Sequence, residues 1–316
     1  SSFSKPPQPL LLPFGGKSGI LSSIYFQKGG TAMNLCDEAT IRALLERHGF
    51  HFSKSMGQNF LIDPQIPYDI AAASQADIAC GVLEIGPGIG PLTSELAKRA
   101  GRVVSVELDR SLLPILAETL AEYPNVEIVP GDVMKLDLNV LIAERFQGLH
   151  PIVCANLPYN ITTPVLTKFI ETPAIESVTV LIQKEVAQRL AAPQGSADGG
   201  AFSLFLQYYM DVSYLFDVPR EKFLPSPKVT SAVLRCVRRE SPAVTVRDEA
   251  FFFKVIKGAF LLRRKTLSNS LAAALPGSEK SAIAEAIAAC GLPPAVRGEA
   301  LTLTDFAALA DALSNL

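Results

Sequence analysis

The chain has 316 residues, 48% of them apolar and 19% charged, with a mean hydropathy of +0.27. That supply of apolar residues excludes a disordered chain, and the length sets a prior of about two domains. No apolar run approaches the ~18–20 residues of a membrane helix, and a net charge of −2 from 29 bases and 31 acids leaves any charged partner to be read from local clusters.

Ser1–Ala32 is rich in Ser, Pro and Gly, and its run Leu10-Leu11-Leu12 is cut by Pro13. Residues 1–32 therefore read as an added, disordered leader, or an over-extended start, outside the fold. A secretory signal is the weaker reading because the apolar stretch is short. Helical periodicity begins after Met33. From Val82 onward, apolar runs at Val82–Ile85, Val103–Val106, Val126–Val129, Ile152–Ala155 and Val178–Ile182 alternate with helical patterns. The helices are expected at Leu92–Arg99, Leu112–Glu122, Val140–Phe146, Val165–Glu171 and Glu185–Ala191. Strands buried on both faces read as continuous apolar runs, and helical crossovers imply parallel pairing. The expectation is a Rossmann-like, doubly wound α/β domain over residues 33–240. Tyr208–Phe216 and Ser231–Val237 are strand-like with no helical pattern between them, which predicts an antiparallel hairpin closing one edge. Pro193–Gly200 has the content of a mobile surface loop. After Pro242 only helical patterns remain: Ile283, Ile287 and Cys290 form one stripe, and Phe306, Leu309, Ala310 and Leu313 another, with Thr304 as its cap. Residues 241–316 are thus expected to form a small all-helical domain.

The cysteines Cys36, Cys80, Cys154, Cys236 and Cys290 are scattered without any CxxC pair. This argues against a disulfide scaffold or zinc cluster and suits a reducing cytoplasm. His48, His51 and His150 are too few for most metal sites and are assigned to surface or packing roles.

Glu84-Ile85-Gly86-Pro87-Gly88-Ile89-Gly90-Pro91 follows the first of these runs and opens a helix. Its glycines permit a sharp turn and close approach of a ligand, and Pro91 suits the first helical position. Pro91 also breaks the dinucleotide pattern, and no Lys follows to make a P-loop. Glu107 ends the second run, where a carboxylate can accept both hydroxyls of a ribose. Gly131-Asp132-Val133 follows the third run and places an acid where it can accept from an adenine amine. A ribose acceptor and an adenine acceptor without a phosphate cradle point to S-adenosylmethionine rather than NAD.

Asn156-Leu157-Pro158-Tyr159 follows the fourth run. The exocyclic amine of adenine is a poor nucleophile because its lone pair is delocalised into the ring. Two acceptors are needed to hold its hydrogens, and the Asn156 side-chain oxygen and Leu157 carbonyl can supply them, with Pro158 stiffening the turn. Tyr159 can stack on a base that is single-stranded or extruded from its helix. Cys154 is a buried strand residue rather than a nucleophile.

These residues resemble the ribosomal RNA adenine N6,N6-dimethyltransferase family from about His51 to the C-terminus. The resemblance is carried by Lys54-Ser55-Met56-Gly57-Gln58-Asn59-Phe60-Leu61, Glu84–Gly90, Val106–Asp109, Gly131-Asp132, Asn156–Asn160 and Phe223-Leu224-Pro225-Ser226-Pro227-Lys228-Val229. Leu261–Asn269 and Arg297–Leu301 are similar to its small-subunit branch. The resemblance implies that Gln58 and Asn59 lie beside the methionine part of the cofactor, Glu107 holds its ribose, Leu108 packs on its adenine and Asp132 binds the adenine amine. The implied cofactor set also includes Leu61, Glu84, Gly86, Gly88, Gly90, Val133 and Asn156. Phe223 would stack on the target base opposite Tyr159. The implied substrate is a pair of adjacent adenosines in the 3′-terminal hairpin loop of small-subunit (16S) rRNA, within a pre-ribosomal particle and met by a monomer without metal or membrane attachment. The loop near Gly199 departs from the family, which often carries a tyrosine there.

Basic residues support an RNA partner. Arg220, Lys222, Lys228, Arg235, Arg238 and Arg239 face only Glu221 and Glu240 in their stretch, and Lys254, Lys257, Arg263, Arg264 and Lys265 have no acid among them. A large-subunit rRNA adenine methyltransferase of the antibiotic-resistance type is the nearest alternative. Arg263-Arg264-Lys265-Thr266 favours the small-subunit branch. DNA adenine and protein glutamine methyltransferases usually carry a proline where this chain has Leu157. A ribosome-assembly checkpoint in which occupancy outweighs catalysis is the alternative from another class.

Overall fold

The computed structural model describes residues 33–51 and 58–314; the leader at 1–32, the motif residues Lys54–Gly57 and residues 315–316 lie outside the described residues. The first elements are α1 (Glu38–Arg47), β1 (Phe60–Leu61) and α2 (Gln65–Ala73). The expected alternation then follows: β2 (Cys80–Ile85), α3 (Pro91–Ala97), β3 (Arg102–Glu107), α4 (Leu113–Thr119), β4 (Val126–Pro130), α5 (Leu138–Arg145), β5 (His150–Asn156), α6 (Thr162–Ile170), β6 (Ser177–Gln183) and α7 (Lys184–Leu190). Period-2 alternation sends Leu83, Val104, Val153 and Val180 to one face, against Phe146, Phe169 and Leu190. Their neighbours Val82, Val103, Ile152 and Leu181 go to the other, against Ile70, Leu92 and Leu96. Helices therefore cover both faces, which is why these strands are mostly apolar, with only a few polar residues such as Glu84, Ser105 and Thr179 among them.

The remaining elements of the sheet are α8 (Ala201–Tyr209), β7 (Met210–Val218), β8 (Phe223–Leu224) and β9 (Ser231–Arg238). The seven-stranded sheet has the order β4-β3-β2-β5-β6-β9-β7, with β4 to β6 parallel and β9 antiparallel to both β6 and β7. The expected hairpin thus closes the edge, but its first strand starts later than the sequence suggests. Tyr208 and Tyr209 end α8, a helix hidden because its aromatic residues also suit a strand. Their rings pack on Phe252 and Phe253, so tertiary contact decides the local state.

The C-terminal helices are α9 (Glu249–Ala259), α10 (Leu267–Ala274), α11 (Lys280–Ala289) and α12 (Leu303–Leu313). Their core of Phe252, Ile256, Leu271, Ile283, Phe306 and Leu309 also takes in Leu204 and Tyr208 from α8, and the chain from Asn34 onward is one compact unit. The cap of α12 is Thr302, not Thr304: Thr302 accepts from the Asp305 N–H, while the Asp305 carboxylate accepts from the Thr302 N–H in return. The loop Pro193–Gly200, expected to be mobile, is tied to this region. Gln194 Oε1 accepts from the Leu303 N–H at 2.9 Å, and Arg263 Nη2 donates to the carbonyls of Ala197 and Gly199 at 3.2 and 3.3 Å.

Candidate active site

In a parallel sheet the crevice lies outside the carboxyl ends of the strands, at the point where strand order reverses. Here β2 lies between β3 and β5, and the loops after β2, β3, β4 and β5 surround a cavity of about 200 Å³. Its walls include Gln58, Asn59 and Leu61, the turn Glu84–Gly88, Glu107 and Leu108, Gly131–Val133, Asn156–Ile161 and Phe223. Every cofactor and base residue expected from the sequence lines this one space except Gly90. Gly90 has φ 95 immediately before α3, and a Cβ there would fall 2.9 Å from the Leu120 side chain. Its glycine serves the turn and the packing behind the cavity. Gly88, at φ 62, does face it, and a Cβ there would crowd the Phe60 ring at 3.2 Å.

Two acids sit close to each other at this edge. Glu84 is 1% exposed, and its Oε2 accepts from Thr93 Oγ1 at 2.6 Å and Ser105 Oγ at 2.7 Å. Burial pushes its carboxyl up to about 7, the two hydroxyls opposing and the Glu107 charge adding to the rise. Glu107 is 6% exposed and its Oε1 accepts from the Asp109 N–H at 2.7 Å. Burial, helped by the Asp109 charge, raises it to about 7 as well. Asp109 in turn accepts from Gln58 Nε2 at 2.7 Å, which fastens the segment before β1 to the end of β3. Asp132 Oδ1 accepts from the Met134 N–H at 2.9 Å, fixing its loop, and Val133 is buried beneath it. Leu108 stands at the rim, 57% exposed.

On the other wall, Asn156 ends β5. The Leu157 N–H donates to the Leu181 carbonyl at 3.1 Å, which fixes the orientation of the motif against β6, and the Leu157 side chain is buried. Tyr159 opens a short turn, with its hydroxyl 2.6 Å from Ser231 Oγ on β9. Phe223 is buried on β8, which pairs antiparallel with β1 so that Leu61 opposes Phe223 and Phe60 opposes Leu224. That two-residue sheet joins the QNFL and FLP motifs. Neither its strands nor Ser231, Thr93 and Ser105 stand out in the sequence, because two residues give no periodicity and lone hydroxyls no pattern.

The basic clusters divide on inspection. Arg238 is not a surface cation: its guanidinium donates to the carbonyls of Phe169, Ile170, Thr172 and Ile175 at 2.7–3.1 Å and closes the C-terminal end of α6. Arg239 pairs with Asp211 at 2.5 Å, and Arg235 donates to Gln75 at 2.6 Å. Arg220 lies beside Glu221 at 3.0 Å and Lys222 pairs with Asp63 at 2.6 Å. Lys228, Arg264 and Lys265 are exposed, whereas the exposed Arg263 holds the Ala197–Gly199 loop. Among the described residues no helix is long and apolar enough to cross a membrane, and no group of three or more His, Cys, Asp or Glu is placed to hold a metal.

A mostly parallel sheet, an antiparallel closing edge and a crevice at the carboxyl ends of β2 to β5 define a Rossmann-like methyltransferase fold. Comparison with known proteins narrows the class. The sequence model described as ribosomal RNA adenine dimethylase matches residues 49–292, and the chain belongs to that family. A Geobacillus protein named ribosomal RNA small subunit methyltransferase A is 46% identical over 279 residues, covering 87% of this chain and 96% of the relative. A Streptococcus agalactiae protein of the same name is 48% identical over 289 residues, covering 90% and 99%. Among solved structures, the 23S rRNA methyltransferase ErmE superposes with a TM-score of 0.64 at 26% identity, covering 81% of this chain and 99% of its own. A dimethyladenosine transferase from Plasmodium falciparum shares the fold, with a TM-score of 0.68 at 24% identity over 81% of this chain and 97% of its own.

Proposed function

We propose that the chain transfers methyl groups from S-adenosylmethionine to the N6 amines of two adjacent adenosines in the 3′-terminal hairpin loop of small-subunit rRNA, acting as a cytoplasmic monomer on a pre-ribosomal particle. The observation that carries this reading is the convergence on one cavity of the strand-end acids Glu107 and Asp132 with Asn156–Tyr159 and Phe223. The cavity suits that cofactor. Gly88 leaves room where a Cβ would press on Phe60, and the buried carboxyls of Glu84 and Glu107 suit hydroxyls and a cationic group. Gln58, Asn59, Leu61, Leu108 and Val133 complete the cofactor walls. When bound, the cofactor supplies an electrophilic methyl on a sulfonium.

The chain's own residues then do the positioning. The Asn156 side-chain oxygen and the Leu157 carbonyl accept the two amine hydrogens of adenine and draw the nitrogen toward tetrahedral geometry. Leu157 is fixed for this by its N–H bond to Leu181. Tyr159 and Phe223 stack on the two faces of an extruded base, with Ser231 holding the Tyr159 hydroxyl. Proximity supplies much of the rate, so no strong general base is needed. The helical region from residue 241 binds rRNA, with Arg264 and Lys265 as phosphate contacts and the exposed Lys228 as a further one. The small-subunit names of relatives at 46–48% identity favour this substrate over the large-subunit one of ErmE. The test is a competition: with labelled cofactor, unmethylated small subunits should take up label and large subunits should not. Label in large subunits alone would refute the assignment.

A further inference from the structure

We propose that Asp63 and Lys222 are positioning residues, a clasp that holds the cofactor-side segment Gln58–Leu61 against the base-side strand β8, and that Lys222 is not an RNA phosphate contact. This assignment rests on the cofactor reading above.

The sequence gives no reason to connect two residues 159 positions apart, but the fold brings them together. The pairing of β1 with β8 is only two residues long, and so short a pair is marginal by itself. It is extended in one direction. The Ile62 N–H donates to the Lys222 carbonyl at 2.9 Å, and one residue further Asp63 Oδ2 accepts from Lys222 Nζ at 2.6 Å. Both partners are anchored in their own elements. Asp63 Oδ1 accepts from the Gln65 N–H at 3.0 Å at the start of α2, and the Lys222 N–H donates to the Pro219 carbonyl at 3.0 Å. The ion pair therefore joins two fixed pieces of backbone rather than two free side chains. The Lys222 ammonium holds the Asp63 carboxyl below its ordinary range.

What the clasp closes is the cavity wall. Gln58, Asn59 and Leu61 lie just before Asp63, and Phe223 directly follows Lys222; all four line the cavity. A shift of β1 from β8 would move the cofactor wall and the base-stacking ring apart. The Asp63 carboxylate 2.6 Å from the Lys222 ammonium offsets its charge, so the pair presents little net field for displacing counterions from RNA. Lys222 is 42% exposed and Asp63 26%, so the effect on affinity is a factor of a few rather than orders of magnitude.

The test titrates S-adenosylmethionine calorimetrically into the full chain and into Asp63→Asn, Lys222→Met, the double variant and Lys222→Arg. Asparagine keeps the acceptor for the Gln65 N–H, and thermal unfolding checks that each variant is folded. Each single variant should weaken cofactor affinity about threefold, the range of an exposed ion pair. The double variant should be no weaker than either, and Lys222→Arg should restore affinity. KM for the cofactor should rise with kcat unchanged at saturation, and the salt dependence of small-subunit binding should stay that of the unaltered chain. Unchanged cofactor affinity in the folded single variants overturns the clasp. So does a Lys222→Met salt slope reduced by about 0.7–0.9, the signature of one lost phosphate contact. If the unaltered chain binds no S-adenosylmethionine, the cofactor reading fails first and the clasp falls with it.

Discussion

The cavity edge of the sheet and the basic stretch along β9 handle charge in opposite ways. At the cavity, Glu84 and Glu107 are buried acids held open to a ligand, each fixed by a few short hydrogen bonds. Along β9, cations that look available are engaged within the fold: Arg238 closes α6, Arg239 pairs with Asp211, and Arg235 is held by the neutral Gln75 amide. A charge buried without a full set of partners costs free energy, so its persistence at a strand end marks a site. A cation spent on backbone carbonyls stabilises the chain and leaves nothing for a partner. Counting charges along a sequence cannot separate these two uses.

Removing one member from each region should have different consequences. The largest effect belongs to Asn156. Asn156→Ala should lower methyl transfer by about 10²–10³, the usual loss for one preorganised polar group, while calorimetry finds cofactor affinity unchanged. Normal turnover would remove Asn156 from the chemistry. Next is Arg238→Ala, which leaves α6 carbonyls unbonded and should cost about 2–3 kcal/mol of stability in chemical denaturation. If stability holds and subunit binding weakens instead, Arg238 faces RNA after all.

Glu107 should sharpen the picture of the buried acids. Glu107→Ala should reduce S-adenosylmethionine affinity at least about tenfold by removing charge-assisted bonds to ribose hydroxyls. Glu84 and Glu107 are both raised from an ordinary 4.5 to about 7, so the folded chain holds protons there that the unfolded chain has released. Stability of the unliganded protein should therefore fall as pH rises from about 4.5 through about 7, and cofactor affinity should rise over the same window as the acceptors ionise. A denaturation series showing the opposite slope, once Glu84→Gln and Glu107→Gln are subtracted, would contradict the burial argument. The smallest effect is at the exposed cations. Arg264→Ala with Lys265→Ala should reduce the salt slope of RNA binding by about 0.7 per lost contact on single-stranded RNA, with cofactor binding intact. An unchanged slope would make them solvated residues of the turn between α9 and α10.

The parallel strands, their order of appearance and most of the cavity were legible because each motif sits at the end of an apolar run, where backbone geometry must change. The helix α8 was not, since Phe205, Tyr208 and Tyr209 suit either state until they meet Phe252 and Phe253. Gly90 does not line the cavity, for a related reason: a glycine needed for φ 95 and for Leu120 looks in sequence like one needed for a ligand. The pairing of β1 with β8 was invisible because the long-range contact that creates it leaves no local periodicity.

Whether one cavity dimethylates two neighbouring adenosines is read out by product analysis at nucleotide resolution. Unmethylated small subunits are incubated to completion with the chain and S-adenosylmethionine, then the 3′-terminal hairpin loop is digested and its nucleosides weighed. Two adjacent adenosines, each carrying two methyls on N6, are expected, and none with Asn156→Ala. Monomethylated adenosine at completion, or methyls confined to another part of the rRNA, would contradict this.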